Sequence, residues 1–403
     1  GTSLNPLRDI LTDYNRVRMT RMFSTGYAAI EPIKGLKLKE TLSYDYTIQK
    51  DSRYYNPLSS AGPKSGSDAQ TAKGFIEYGK LISSTSLNYV HTFAHKHHLN
   101  VLAAYEIESY QTDHASGEKS KLPSDKLTEP DNAAVLNSFK SATQAYRMIS
   151  YLSRLNYDYD DRYYIAGSYR RDGSSRLSPN NRWGNFWSVS GMWHLGNENF
   201  MKAVKPVLSD VKIRASYGSL GNQLVTEYGY IPSMNSSLGS YLIDGKLQQT
   251  VTAPGLVSPD YTWEQVRTLN GGIDLALWNN KLVVSFDIYR RDTKGMLTLG
   301  KELPGVLGKT EPKENAADLK TRGWELSVAY RDEFQLKGKP LNWGARFVLS
   351  DNRSWITKFD NPTKNLSQYY EGQELGEIWG LQSDGLFKSK EEIAALDETE
   401  IIP

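Results

Sequence analysis

Residues 281–292 read KLVVSFDIYRRD, with Leu282, Val284, Phe286 and Ile288 on one side and Lys281, Ser285, Asp287 and Arg291 on the other. A repeat of two belongs to a strand with one apolar and one polar face. The pattern recurs. Trp324, Leu326, Val328 and Tyr330 alternate with Glu325, Ser327 and Arg331, while Leu341, Trp343, Ala345, Phe347 and Leu349 alternate with Asn342 and Arg346. Val211, Ile213, Ala215 and Tyr217 oppose Lys212, Arg214 and Ser216. About twelve such segments can be read, many of about ten residues or more, the length at which a tilted strand crosses a bilayer. Strands of soluble proteins centre on about five or six residues. Helical patterning is confined to Ser389–Glu398 and Glu198–Val204.

No apolar run approaches the roughly eighteen residues of a membrane-crossing helix, which leaves a soluble β protein or a barrel. Connection lengths separate the two. Tight links at Glu31–Gly35, Ala94–Lys96, Asp158–Asp161 and Asn279–Asn280 alternate with long ones at 51–74, 111–143, 172–183, 219–265 and 294–320. Short inner turns and long outer loops are the asymmetry of an outer-membrane barrel. The aromatic content agrees: among 26 Tyr and 9 Trp, Trp183, Trp187, Trp193, Trp278, Trp324 and Trp343 stand near strand ends, where indole rings sit at a lipid headgroup boundary. The expected fold is therefore all-β, a transmembrane antiparallel barrel. YRRDGSSRLSPNNRWGNF (Tyr169–Phe186) reads as a strand leaving the outer rim, a polar loop, and a strand re-entering through an aromatic belt.

Several chemistries drop out. With no cysteine, disulfides, thiol catalysis and thiolate metal sites are excluded. The formal charge of +2 gives no basic footprint for nucleic acid. Gly1–Ile10 contains no basic segment followed by an apolar core, so a secretory signal is expected to be cleaved or to lie upstream. His91, His95, His97 and His98 cluster in and around a tight turn with no cysteine or carboxylate beside them, so a polar inner turn is expected there rather than a metal site. Gly305–Thr310 has Leu303 where a phosphate loop needs its first glycine. Asp158–Tyr163 lacks the acid and glycine of a calcium loop. No nucleophile motif is visible, and neither enzymatic activity nor a cofactor is expected. The Arg171/Asp172, Arg291/Asp292 and Arg331/Asp332 neighbours read as rim ion pairs.

Tyr169–Met201 closely resembles the signature of the SusC/RagA family of TonB-linked outer-membrane transporters of the Bacteroidetes. Four further stretches fit in the same order: Leu208–Gln223, Tyr261–Leu297, Leu303–Asp332 and Tyr370–Ile393. Within them Arg171, Asp172, Gly173, Ser174, Ser175, Arg176, Arg182, Trp183 and Gly184, with Gly323, Trp324 and Glu325, carry the family pattern as structural residues. The resemblance implies part of a barrel of about 22 strands with a plugged lumen. Residues 1–403 would then be one partial barrel domain, with the N-terminal plug, the first strands and the closing C-terminal strands lying outside the chain. It also implies import of oligosaccharides or peptides across the outer membrane, with a SusD-like surface lipoprotein as lid and the TonB complex acting through the plug. Outer-membrane lipid would surround the wall. In the long loop 219–265, Tyr228, Tyr230, Tyr241 and Asp244 are the candidate substrate contacts, since aromatic faces suit sugar rings and carboxylates suit hydroxyls. A passive porin or adhesin barrel, and a soluble β-rich carbohydrate-binding protein or hydrolase, are the alternatives.

Overall fold

A computed structural model describes residues 6–394 except 58, 60–67, 224, 226, 337, 363–364, 381 and 384. Fourteen strands follow in order: β1 (Tyr14–Ile33), β2 (Leu36–Tyr55), β3 (Gln70–Phe93), β4 (His97–Ser120), β5 (Val135–Tyr159), β6 (Tyr163–Ser174), β7 (Trp183–His194), β8 (Leu208–Asn222), β9 (Ser236–Ile243), β10 (Lys246–Val251), β11 (Glu264–Leu277), β12 (Leu282–Leu299), β13 (Lys313–Leu336) and β14 (Lys339–Lys358). Twelve of them form one antiparallel sheet in chain order, while β9 and β10 make a separate hairpin inside the loop between β8 and β11. Among the described residues, β1 pairs on one side, while β14 pairs along one side with β13 and makes only a short bridge, Trp355 to Glu374, on the other.

The sheet has a hollow side. One cavity of about 560 Å³ draws its lining from β3, β4, β5, β6, β7, β8 and β11, which only the concave face of a strongly curved sheet can do. The alternation places Arg214, Ser216, Ser190 and Asn270 on that inward face and Ile213, Tyr217, Leu269 and Ile288 on the other. The exposed apolar side chains of the second face are what a lipid-facing wall requires, and among the described residues no helix is long and apolar enough to cross a membrane.

Three tight turns are made by paired left-handed residues, while the β1–β2 turn uses Gly35 alone, at φ 85°. Ala94 and His95 have φ of 51° and 56°, Asp160 and Asp161 have 54° each, and Asp244 with Gly245 has 50° and 73°. Two successive positive φ values match the twist of the flanking strands. The link between β11 and β12 takes three such residues, Trp278, Asn279 and Asn280, so Trp278 belongs to the turn and not to a strand.

Two expectations change in extent. The expected loops at 111–143 and 294–320 are partly strand, because β4 runs to Ser120, β5 starts at Val135, β12 runs to Leu299 and β13 starts at Lys313. Beyond the lipid boundary the ladder continues without a regular apolar face, as in Gln111–Ser120, where both faces are largely polar, so the period that marks a strand in sequence fades while the hydrogen bonds persist. The expected helix at Ser389–Glu398 is Lys390–Ala394, its last four residues lying outside the described ones, and Glu198–Val204 contains a short 3₁₀ turn. A helix at Pro6–Thr12 carried no signal in the sequence reading.

Candidate functional site

The signature stretch staples the outer loops over the lumen. Arg170 points inward and holds Asp172 through Nε at 2.7 and 2.9 Å, while its guanidinium also donates to the Ser150 hydroxyl at 2.9 Å. Arg171 points outward and lies 5.1 Å over the Trp183 ring. Gly173 makes room for that ring, since a β-carbon there would stand 2.8 Å from it. Ser174 donates its backbone N–H to the Arg182 carbonyl, and Ser175 exchanges bonds with the Arg147 backbone, so the ladder continues into the loop. Arg176 pairs with Glu227 at 3.0 Å and sits 3.9 Å over Tyr146.

Beneath this staple Leu177, Phe186, Tyr261 and Trp263 form a buried cluster, with Met148, Val225, Tyr230 and Leu297 packed against it. Each large apolar side chain so buried is worth about 1.5–3 kcal/mol. Phe186 meets Trp263 edge to face at 5.3 Å, and the indole donates to the Arg182 carbonyl at 2.9 Å. Gly184 and Gly221 leave the space that the Phe186 ring fills. Burial also lifts the Tyr261 phenol above its ordinary pKa. The Trp-Gly and Gly-Asn pieces of the signature are thus packing requirements of a core that joins two loops.

Below the cluster lies a lumen cavity of about 620 Å³, whose inward residues include Arg170, Asp172, Ser188, Ser216, Thr268 and Gln223. Gln223 Oε1 is buried there without a hydrogen-bond partner. The cavity nearer the inner turns also carries polar groups, Asn100, Asn156, Tyr164 and Arg214, and the buried acceptors Asn100 Oδ1 and Asp158 Oδ1 likewise have no hydrogen-bond partner. Arg214, which lines this cavity, reaches both oxygens of Asp287 at 2.6 Å and Asp274 at 3.0 Å, while Ser285 donates to Asp274 at 2.6 Å. Gly272 admits this guanidinium, for a β-carbon would lie 2.7 Å from Arg214 Cζ. In the Gly323-Trp324-Glu325 triplet, Gly323 makes room for Tyr289, Trp324 faces lipid opposite Ile288, and Glu325 faces the lumen opposite Asp287. Sequence alternation placed Arg214, Ser216, Ser285 and Asp287 on polar faces without giving them a role, and Asn100, Asn156, Asp274, Thr268 and Gln223 were not named there.

Alternation also rearranges three sequence readings. The four clustered histidines separate: His91 and His97 face outward in a row of rings running Tyr89, His91, Phe93, His97, Tyr159, Tyr163 and Trp193, with successive centroids 4.9–6.5 Å apart. This row is an inner aromatic belt. Of the three clustered histidines that stand on strands, only His98 turns inward, where its Nδ1 meets the Thr92 hydroxyl at 2.9 Å and its Nε2 lies 4.0 Å from Asp158. Asp161 also approaches, so the carboxylates lacking along the chain are supplied by the next hairpin. The expected Arg-Asp neighbours do not pair, because adjacent strand residues point to opposite faces. Instead Arg170 pairs with Asp172, Arg290 with Asp292, and Lys281 with Asp332. Trp324 stands mid-strand, at the outer boundary only because β13 extends beyond it.

At the inner rim, Glu198 accepts from the Tyr163 hydroxyl at 2.7 Å and the Trp193 indole at 3.1 Å. These bonds, the Tyr163 one first, hold its carboxyl below the ordinary range. A depressed folded pKa stabilises above the unfolded value of about 4.3 and loses that contribution as pH falls through the folded one. Glu198→Gln is therefore expected to lower the urea midpoint at pH 7, and the gap from the parent should close below about pH 4. A gap independent of pH would remove the charge from the explanation.

The candidate substrate contacts fall in two places. Tyr228 and Tyr230 neighbour each other at 6.4 Å, with Tyr230 against the buried cluster and Tyr228 exposed in a left-handed backbone. Tyr241 is exposed on β9, and Asp244 forms the turn of that hairpin.

The family described as "TonB dependent receptor-like, beta-barrel" matches residues 2–378. The chain belongs to that family. Its SusC/RagA character is borne out by relatives within it: the TonB-dependent receptor SusC of Bacteroides thetaiotaomicron is 31% identical over 233 residues, which cover 57% of this chain and 23% of SusC. A TonB-dependent receptor of Formosa agariphila is 28% identical over 387 residues, covering 93% of this chain and 36% of its own length. The chain thus spans less than two-fifths of either curated relative. Among solved structures, the RagAB peptide transporter superposes with a TM-score of 0.75 at 26% identity, over 88% of this chain and 38% of that one. The unliganded ferric citrate transporter FecA, at 8% identity and a TM-score of 0.53, shares the fold alone. As a barrel of this family the chain resides in the bacterial outer membrane, with the ring-rich belt and apolar wall in lipid and the polar wall lining the lumen.

Proposed function

We propose that the chain is part of the barrel wall of an energised importer for oligosaccharides or peptides. In this reading further strands close the sheet, because lipid tolerates no open edge, and a plug domain fills the lumen. TonB acts on the plug, and a SusD-like lipoprotein covers the outer mouth. The wall binds and guides cargo and makes or breaks no bonds. The observation that carries the reading is the lumen cavity roofed by the stapled loops, where hydroxyls, a guanidinium and an unpaired amide oxygen stand beside indole and other apolar surface. Such a surface suits a solute rich in hydrogen-bonding groups and flat faces. Tyr228, Tyr230, Tyr241 and Asp244 are the proposed contacts on the loop side.

The test is uptake by cells carrying the full-length transporter, with a fluorescent maltooligosaccharide mixture and a fluorescent peptide mixture as probes. Import of at least one probe is expected to cease when TonB is deleted. Entry of both that persists without TonB would point to a passive pore and overturn the proposal. In the active strain, Tyr228→Ala with Tyr241→Ala should raise the half-saturating concentration of the transported probe about tenfold, at roughly 0.7 kcal/mol per lost ring contact.

A further inference from the structure

On the lipid-facing wall the register sets Arg290 opposite Arg322 and Arg322 opposite Arg353. Like charges directly opposite one another destabilise a sheet, so a row of three guanidiniums calls for a counter-charge. Arg290 meets Asp292 at 2.8 Å and Arg353 meets Glu374 at 3.9 Å, whereas Arg322 makes no ion pair among the described residues. The next rung outward adds Arg267 and Lys320 on the same face, beside Asp292. The next rung inward holds Gly271, Ile288, Trp324 and Asp351. Five cations therefore share three carboxylates, Asp292, Asp351 and Glu374, and the patch remains positive.

Depth decides what can supply the missing charge. Arg290 is eight residues along β12 from Leu282, beside the inner turn. Eight residues of a strand tilted by about 40° rise about 20 Å, which puts the arginine row at the outer edge of an apolar band about 25 Å tall. Under the row, Ile273, Phe286, Leu326 and Leu349 form a continuous apolar rung. A groove of about 740 Å³ runs inward from the arginines past Gly271, Ile288, Trp324 and Asp351, with Leu269 level with the row and Trp355 one rung outward of it. Its floor is Gly271, where a β-carbon would meet nothing within 4 Å. A ligand here needs an anionic head at the height of the arginines and an apolar body directed into the membrane.

We propose that the Arg290–Arg322–Arg353 row binds the phosphate of an outer-leaflet lipid, whose acyl chain lies in the groove below. Guanidiniums grip phosphate oxygens in pairs, and Arg322, the member without a protein partner, is the central contact. The lipid would relieve the repulsion within the row and cover the groove. This site faces away from the lumen, so it stands or falls separately from the transported cargo.

The test uses the full-length transporter in nonionic detergent, with binding followed by native mass spectrometry. Three probes are compared: dioleoyl phosphatidic acid, dioleoylglycerol and inorganic phosphate. Phosphatidic acid is expected to bind saturably and more tightly than the other two. Arg322→Gln should weaken it about tenfold, the worth of one charge-assisted contact, without unfolding the barrel because no protein ion pair is broken. The triple variant Arg290→Gln/Arg322→Gln/Arg353→Gln should abolish saturable binding while keeping the heat-sensitive gel mobility of a folded barrel. Equal binding of dioleoylglycerol, or unchanged phosphatidic acid binding in Arg322→Gln, would overturn the proposal. Inorganic phosphate binding as tightly as the lipid would overturn it too, by reducing the row to a plain anion site.

Discussion

Gly221→Leu is expected to dismantle the core that joins the signature loop to the loop between β8 and β11. A β-carbon at Gly221 would stand 2.0 Å from Phe186 Cζ, and the ring cannot retreat because Gly184 on its other side already admits it so closely that a β-carbon there would lie 2.4 Å away. Either Phe186 leaves the Leu177, Tyr261 and Trp263 cluster or β8 shifts out of register with β7 and β11. Overpacking costs about 1–3 kcal/mol, and expulsion of the ring adds the loss of its burial, so a total of about 4 kcal/mol is expected. The measurement is a urea titration of the folded barrel in detergent, read by gel mobility without heating. Phe186→Ala should cost about 3 kcal/mol alone, yet Gly221→Leu placed on top of it should cost far less than in the parent. Simple addition of the two effects would show that they do not share this space.

Arg214→Met should give the second large loss, about 3 kcal/mol, through what it leaves behind. Asp274 and Asp287 face the lumen on adjacent strands and meet the same guanidinium. Without it, two carboxylates would oppose each other on a low-dielectric wall, a situation costlier than the loss of the attraction itself. One-third exposure of the Arg214 side chain keeps the figure at the lower end of that range. The triple variant Arg214→Met/Asp274→Asn/Asp287→Asn should recover most of the stability, since the amides can still bond to Ser285 and to each other. A triple variant as unstable as Arg214→Met would assign the loss to packing of the arginine stem against Gly272.

The wall was legible in the sequence because lipid and lumen impose opposite polarity on successive residues. The face of Phe286, Trp324 or Arg214 follows from its parity alone. Parity also corrects the sequence reading where neighbours were taken as partners: Arg171 and Asp172 are adjacent and diverge, while Arg170 and Asp172 are two apart and meet. The signature residues were recognisable, but their physical task was not. That Gly184 and Gly221 leave room for one ring depends on β7 and β8 lying side by side, which nothing local encodes. His98 gives the same lesson, as Asp158 and Asp161 come to it from a different hairpin. Sequence logic weakened most beyond the membrane boundary, where strands remain hydrogen-bonded without an apolar face to announce them.

That extension shapes the molecule above the membrane. β3 and β4 have 24 residues each and β5 has 25, which at a tilt of about 40° correspond to a height of about 60 Å. Lipid accounts for about 25 Å of it. On this side of the sheet the remainder stands outside as a stiff hydrogen-bonded wall rather than a fringe of loops, whereas β6 and β7, with 12 residues each, end about level with the lipid. A solute would meet this wall well before it reached the plane of the membrane, and anything seated against it would rest on a hydrogen-bonded edge whose shape does not depend on its occupant.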